Sequence, residues 1–472
     1  MAACPLHSRL DMTRRGSVLV SRLLRPFSRV HHGEGIVVLL MLTCMFLLLA
    51  SYYAMKTSRE GLILAQGSFG FTGQQLQAYA SGGMACVLLA VVPAYSALAT
   101  RVRRLRLMEI SYAVVLVSLV VFYVLGRAGV PIGLVFFVWI GLVNVFLVAQ
   151  FWSYAADLYN EEQGRRLFAI IALGGSLGGV AGPRIAAVAS TEGLLLVSAL
   201  LLVPCVAIFH LVERWHVAEP GAEPNRGPIQ SPGGFSLVWS DHYLLLIAAL
   251  VFVGALVKTI GEYVLSDSAA ARAALMVPAS AHAELVGRAR ELAITHDRQE
   301  LIKAFYGNFY FWVNAVSFVI QAFVVSRAID KLGVRRTLFV MPVVALGVYG
   351  AIAAVGGFAL VRLAKLAENS TEYSLDNTVR QTLFLPTNRA AKYKAKAAID
   401  TFAVRAGDTC SAIVIWIGVR EIGVHGRGLA AVNLVLVGLW LVIAAGVVRS
   451  YRRRATCTAQ RACERPPSSS RL

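Results

Sequence analysis

Charge is scarce in this chain, and acid is scarcer than base. Only 15% of the 472 residues are Asp, Glu, Lys or Arg, and 26 acids stand against 45 bases. A soluble chain of this length would form two or three domains and carry about a quarter of its residues as charge. Also missing is the strict polar–apolar alternation that a transmembrane β-barrel requires. Seven cysteines, at 4, 44, 86, 205, 410, 457 and 463, show no CxxC or zinc spacing, and most lie in apolar stretches as small buried residues. There is no G-x-x-x-x-G-K-[ST] loop to hydrolyse a nucleotide. Nor is there an HExxH or comparable ligand cluster. His31 and His32 are adjacent in a basic tail, a pattern of solvated segments. No enzyme, catalytic group, cofactor or metal is expected.

Hydrophobicity fills the space that charge leaves. Of all residues 57% are apolar, in recurring runs of about 20, the length that crosses some 30 Å of hydrocarbon. The expected fold is an all-α polytopic membrane protein. Windows of about 19 residues give twelve segments, at 35–56, 76–99, 108–126, 130–154, 167–189, 193–212, 243–265, 305–327, 337–358, 360–384, 397–418 and 428–449. Arg101, Arg103, Arg104 and Arg106 follow the second segment, and Arg165 and Arg166 the fourth. Lys331, Arg335 and Arg336 follow the eighth, Lys392, Lys394 and Lys396 precede the eleventh, and Arg452 to Arg454 follow the last. All these loops fall on one side if both termini are cytoplasmic, so the positive-inside rule and the count agree. A bacterial-type cell membrane is the expected location. No cleavable signal peptide is evident in the basic tail before Ile36.

The net charge of +19 fits this orientation and contact with anionic membrane lipid, and nucleic acid is excluded for want of a groove-reading element. A Pro-, Gly- and Glu-rich stretch from Glu213 to Gly234 divides the segments six and six. The expected layout is a basic cytoplasmic tail (1–34), a six-helix half (35–212), a cytoplasmic linker (213–242), a second half (243–449) and a basic tail (450–472). A polar, Ala-rich excursion at 266–303 with helical periodicity interrupts the second half on the external side. A lid, a docking element and a solvated excursion all remain open for it. Two related halves describe a secondary transporter with its site at the midplane, here expected as a monomer.

Four stretches carry chemistry. DKLGVRR (330–336) resembles the D-[RK]-x-G-[RK]-[RK] loop of the major facilitator superfamily. Gly333 permits its tight turn, while Asp330, Arg335 and Arg336 are expected to latch an inside gate. In GGSLGGVAGPR, Gly174, Gly178 and Gly182 recur every four residues, a spacing that lets helices approach closely, and Arg184 is expected to snorkel outward. The tenth segment, LVRLAKLAENSTEYSLDNTVRQTLF, lines Arg362, Lys365, Asn369, Glu372, Asp376 and Arg380 along one face. Such a stripe cannot face lipid, where a charge costs roughly 2.5–3.5 kcal/mol on insertion scales. It lines an aqueous path or pairs along i,i+3 and i,i+4 contacts. Lys258 and Glu262 in the seventh segment join it, as do Asp400, Arg405 and Asp408 in the eleventh. Lys56 and Arg59 close the first, at an outer mouth or a solvated helix end. Acids and bases nearly balance across the membrane region, which favours a ligand with negative and hydrogen-bonding groups, and arginine suits phosphate or carboxylate.

Two longer stretches resemble the ATP/ADP translocase family, the nucleotide transporters of plastids and intracellular bacteria. These are FWSYAADLYNEEQGRRLFAIIALGGSLGGVAG (151–182) and EYSLDNTVRQTLFLPTNRAAKYKAKAAID (372–400), the latter with its Pro386 turn and KAAID sequence. The resemblance runs from about residue 35 to 450. It implies a twelve-helix major-facilitator bundle, exchange of nucleotides such as ATP and ADP by alternating access, and a basic residue after the first helix, matched by Arg59. It also implies a glutamate in the fourth helix, where Ile140 stands, and an acid then a base in the seventh, where Lys258 precedes Glu262. A lysine expected in the eleventh is replaced near Asp408, beside Arg405.

The leading expectation is transport of an anionic, phosphorylated solute by rocking of the halves. Lys258, Lys365, Arg380 and Arg405 hold phosphate in this reading. Glu372, Asp376 and Asp400 contact the remainder, switch pairs between states or carry protons. A major-facilitator carrier of an organic acid or a lipid, and a non-transporting sensor or partner platform, are the alternatives.

Overall fold

The structure is a computed structural model that describes residues 34–65, 67, 70–102, 104–159, 161–215, 234–384, 387, 391 and 395–463. The basic tail before 34, the middle of the linker (216–233), Arg103, Pro386, Lys392, Lys394 and the last nine residues lie outside this set.

A backbone crossing hydrocarbon must satisfy its own N–H and C=O groups, so each apolar run closes into helix. Twelve long helical runs, counted over the described residues, coincide with the twelve expected segments. They are α1 (Glu34–Ala65), α2 (Gly73–Arg101), α3 (Arg104–Arg127), α4 (Gly133–Leu158), α5 (Glu161–Ala186), α6 (Gly193–Trp215) and α7 (His242–Met276). α8 (Arg288–Val319) continues through a π-helical turn, Ile320–Val325, into a polar helix, Ser326–Thr337, which bends by 78° into α9 (Val340–Ala354). α10 (Phe358–Thr371) runs through a π turn, Glu372–Asp376, into Asn377–Thr382. α11 (Val404–Ile415) is preceded by the π turn Ile399–Ala403, and α12 is Gly426–Cys463.

Among the described residues eight helices are long and apolar enough to cross a membrane, or nine if the bent pair is one span. α10 is not one of them, because it is the charged helix. α5 contributes only the shorter apolar stretch Ile170–Ala186. The excursion at 266–303 is largely helical, with 266–276 extending α7 and 288–303 opening α8.

The chain forms two compact units. One gathers Met1–Gln66, Leu88–Asn225 and Val277–Asn314; the other gathers Gly67–Val87, Arg226–Met276 and Ala315–Leu472. In the first, α1 lies against α5 at backbone distance. A methyl group on Gly174, Gly178 or Gly182 would collide with the carbonyl oxygens of Leu42, Phe46 or Ala50 respectively, so the four-residue glycine spacing is a packing face. Ser51 and Ser58 tie α1 to the Ser198 and Thr191 carbonyls at 2.9 and 3.0 Å. Arg184 is exposed, and its guanidinium lies 3.7 Å from the centre of the Phe311 ring. Both residues belong to this unit, and the aromatic face adds a cation–π contact to the exposed guanidinium.

In the second unit α7 is the central strut. Asn433 of α12 donates to the Val257 carbonyl at 3.0 Å, and Ser411 of α11 to the Leu256 carbonyl at 3.1 Å. Gly407 of α11 meets α7 so closely that a Cβ would stand 2.6 Å from the Phe252 oxygen.

Candidate functional site

Nine of the ten residues expected to bind substrate lie within the second unit, on α7, α10 and α11 with their π turns. Neighbouring helices carry them toward one another, and they pair across helices more than along them. Lys258 of α7 donates to Glu372 Oε1 of α10 at 2.6 Å. One turn further along α7, Glu262 accepts from the Asn369 amide at 2.9 Å and stands 3.6 Å from the Lys365 ammonium. Between them, Thr259 donates to Asp408 Oδ1 of α11 at 2.7 Å. Arg405 holds the other oxygen of Asp408 at 2.9 Å, three residues along the same helix. Arg380 and Asp400 approach only to 4.0 Å. Asp376 is buried, with 9% of its surface exposed.

The core of the site was only half visible in the sequence. Lys365, fully buried, points its ammonium at Glu368 Oε2 from 2.6 Å, and the Tyr349 hydroxyl of α9 lies 2.8 and 2.9 Å from the two Glu368 oxygens. Neither Glu368 nor Tyr349 was among the expected residues, although Glu368 sits three positions after Lys365 and so shares its face. Gly261 makes room for this triad. A Cβ there would fall on the Tyr349 hydroxyl and 2.8 Å from Lys365 Nζ.

The geometry has two physical consequences. A charge taken out of water is tolerated when an opposite charge and hydrogen bonds meet it, and the ammonium and carboxylate of the triad do so. Lys258, Glu372, Arg380, Asp400 and Arg405 are instead partly exposed. In a membrane bundle, exposed charge must open onto water, since lipid would expel it. π turns, which are frequent at functional sites, carry Glu372 and Asp376 in one case and Asp400 in the other. Both interrupt the α-helical ladder where the charges sit.

The remaining expected residues lie elsewhere. Arg59 belongs to the first unit, where it forms an ion pair with the buried Glu60 and lies 4.2 Å over the Phe137 ring. The Tyr310 hydroxyl donates to the same Glu60 at 3.2 Å, and Lys56 stands 4.1 Å over the Tyr310 ring. In the DKLGVRR loop Gly333 adopts φ 71°, ψ 159°, a left-handed conformation open to glycine. Thr337 Oγ1 caps the turn by donating to the Gly333 carbonyl at 2.9 Å. Asp330, Arg335 and Arg336 are exposed. Among the described residues no group of three or more His, Cys, Asp or Glu side chains is arranged to hold a metal ion.

Comparison with known proteins agrees with this architecture. The family model described as Major Facilitator Superfamily matches residues 35–366. The "ADP,ATP carrier protein 1" of Chlamydia pneumoniae is 23% identical over 353 residues, 64% of each chain, so the chain spans just under two thirds of that relative's length. Among solved structures, a bacterial homologue of the human lysosomal transporter Spinster, inward-facing and unoccupied, superposes with a TM-score of 0.56. It is 12% identical, covering 90% of this chain and 98% of that one. A point variant of the nucleoside transporter NupG gives the same score at 14% identity, covering 88% and 99%. The last two likenesses concern the fold alone. With the family model matching residues 35–366, well over half of the chain, and the helices in the expected order, this multi-pass membrane chain belongs to the Major Facilitator Superfamily.

Proposed function

We propose that the chain is a secondary transporter of an anionic, phosphorylated solute, with nucleotides of the ATP/ADP type first among the candidates, moved in exchange by alternating access. It works in a bacterial-type cell membrane with both termini cytoplasmic. The observation that carries this reading is the convergence of four cations, Lys258, Lys365, Arg380 and Arg405, on three adjacent helices of one unit, held by carboxylates. A phosphate group competes with those carboxylates for the same donors, so cargo binding and a change of ion-pair partners are one event. The likeness to a chlamydial ADP,ATP carrier supports nucleotide cargo. Asp330, Arg335 and Arg336, on the loop turned by Gly333, supply the inside latch.

Uptake of labelled ATP, ADP and other phosphorylated metabolites into proteoliposomes tests the proposal. Saturable uptake of at least one anion, reduced by Lys258→Gln, is expected. Folded protein that moves none of them refutes it, and uptake of an organic acid alone would reassign the cargo.

A further inference from the structure

Away from the charged helices, α3 and α6 of the first unit share an outer face suited to lipid. Val114, Val117 and Val121 of α3 and Leu200 and Val203 of α6 are all exposed. Acyl chains are as apolar as these side chains and cover them without penalty. Behind the face the two helices are locked together by the buried rings of Tyr112 and Phe209, edge to face at 5.6 Å. The face stops at one level on both helices. On α3 the charge-free run Ile110–Gly126 is preceded by Glu109, and on α6 the charge-free run Gly193–Phe209 is followed by His210.

At that level the helices exchange a polar contact in the open. Nε2 of His210 lies 2.9 Å from Oε1 of Glu109, and the two side chains remain 45% and 39% exposed. An exposed base flanks each of them, Arg106 one turn before Glu109 and Arg214 one turn after His210. Glu213 is drawn aside, 3.5 Å from the Tyr154 hydroxyl of α4. Charge at the rim of hydrocarbon has to be met by headgroups or water. A purely anionic headgroup would gain the two arginines but meet Glu109 as a like charge. A headgroup carrying both a phosphate diester and a primary ammonium suits the whole set, because the arginine forks take the phosphate and the carboxylate accepts from the ammonium. Side chains three or four apart on a helix stand about 5–6 Å apart at Cβ, the scale of a phosphate and an ammonium joined by a two-carbon arm. Choline has the same charge but no N–H to donate.

We propose that the polar edge of the α3–α6 face is a binding site for an aminophospholipid of the phosphatidylethanolamine class. Its acyl chains lie along the valines of α3 and the apolar side chains of α6. Its phosphate meets Arg106 and Arg214, and its ammonium donates to Glu109 beside His210. The site is independent of the cargo and of the transporter reading.

Native mass spectrometry of the whole purified protein tests it, with an equimolar mixture of phosphatidylethanolamine, its N,N-dimethyl analogue, phosphatidylcholine and phosphatidylglycerol. The wild type is expected to retain phosphatidylethanolamine several-fold over phosphatidylcholine, with the dimethyl lipid, which keeps one N–H, between them. Glu109→Gln should bring the four lipids close to level. Arg106→Gln with Arg214→Gln should lower retention of all of them, and Val117→Leu, on the apolar face, should leave the order unchanged. Equal retention of phosphatidylethanolamine and phosphatidylcholine by the wild type overturns the proposal, as does a preference for phosphatidylglycerol. A phosphatidylethanolamine preference that survives in Glu109→Gln places the lipid elsewhere and overturns it too. So does a lipid-free dimer that Glu109→Gln dissociates, since a second copy would then occupy the face. If Glu109→Gln does not fold, the methylation series on the wild type decides alone.

Discussion

Lys365→Met is the sharpest perturbation of the buried triad. The ammonium is fully shielded and 2.6 Å from Glu368, whose side chain is 2% exposed; the second carboxylate, on Glu262, is 3.6 Å away. Methionine has nearly the same reach and no charge. Its introduction leaves Glu368 in a dry site with the single hydroxyl proton of Tyr349 as compensation. Removing one member of a buried pair costs about 3–5 kcal/mol, because the survivor is an uncompensated charge, whereas removing both charges together is often close to neutral. The single substitution is therefore expected to destabilise by about that amount, and Lys365→Met with Glu368→Gln to recover most of it. Denaturation of the purified protein in mixed micelles, followed by tryptophan fluorescence, measures all three variants. If Lys365→Met alone stayed within about 0.5 kcal/mol of wild type, the desolvated ion pair would not exist as described.

Three further outcomes follow from other parts of the structure. Gly261→Ala places a methyl group on the Tyr349 hydroxyl and beside Lys365, so it should cost about 1–3 kcal/mol by the same denaturation assay, with uptake falling alongside. Lys258→Glu should abolish nucleotide uptake, and Lys258→Glu with Glu372→Lys should restore part of it, because the 2.6 Å cross-helix pair is reversed rather than lost; failure of the swap would show that the positions are read by cargo as well as by each other. In the α7–α8 excursion, His282 hydrogen-bonds Asp297 at 2.9 Å and Glu284 at 3.3 Å, chiefly the former raising its pKa above the ordinary value of 6.5. Its contribution to local stability is fully present below about 6.5 and is lost as pH rises through the higher folded value. Hydrogen exchange of residues 277–298 should accelerate over that window, and Asp297→Asn should remove the pH dependence.

Much of this was legible because hydrocarbon imposes simple rules. Apolar runs had to be helices, and a stripe of charges at steps of three and four along 362–380 had to face something other than lipid. Gly333 and the glycines of α5 announced close backbone geometry through their spacing. What the sequence hid was partnership. Lys258 and Glu262 are one turn apart and look like a pair, yet each reaches across to α10, because that helix crosses α7 with its own charges in register. Glu368 carries no sequence signal beyond its spacing from Lys365, and only the position of Tyr349 on α9 shows why an acid belongs there. The π turns at Glu372–Asp376 and Ile399–Ala403 are invisible to any fixed 3.6-residue period, which is why the expected stripe could not say which charge meets which. Arg59 looked like a member of the same set, but its partner Glu60 is its own neighbour, in the other unit.

The bare backbone seam between α1 and α5 has an evolutionary corollary. Positions 174, 178 and 182 admit nothing larger than hydrogen without forcing two rods apart. Natural variation should therefore bypass those three sites while roaming freely over the lipid-facing side chains a few residues away. A saturation library selected for transport would print that contrast directly.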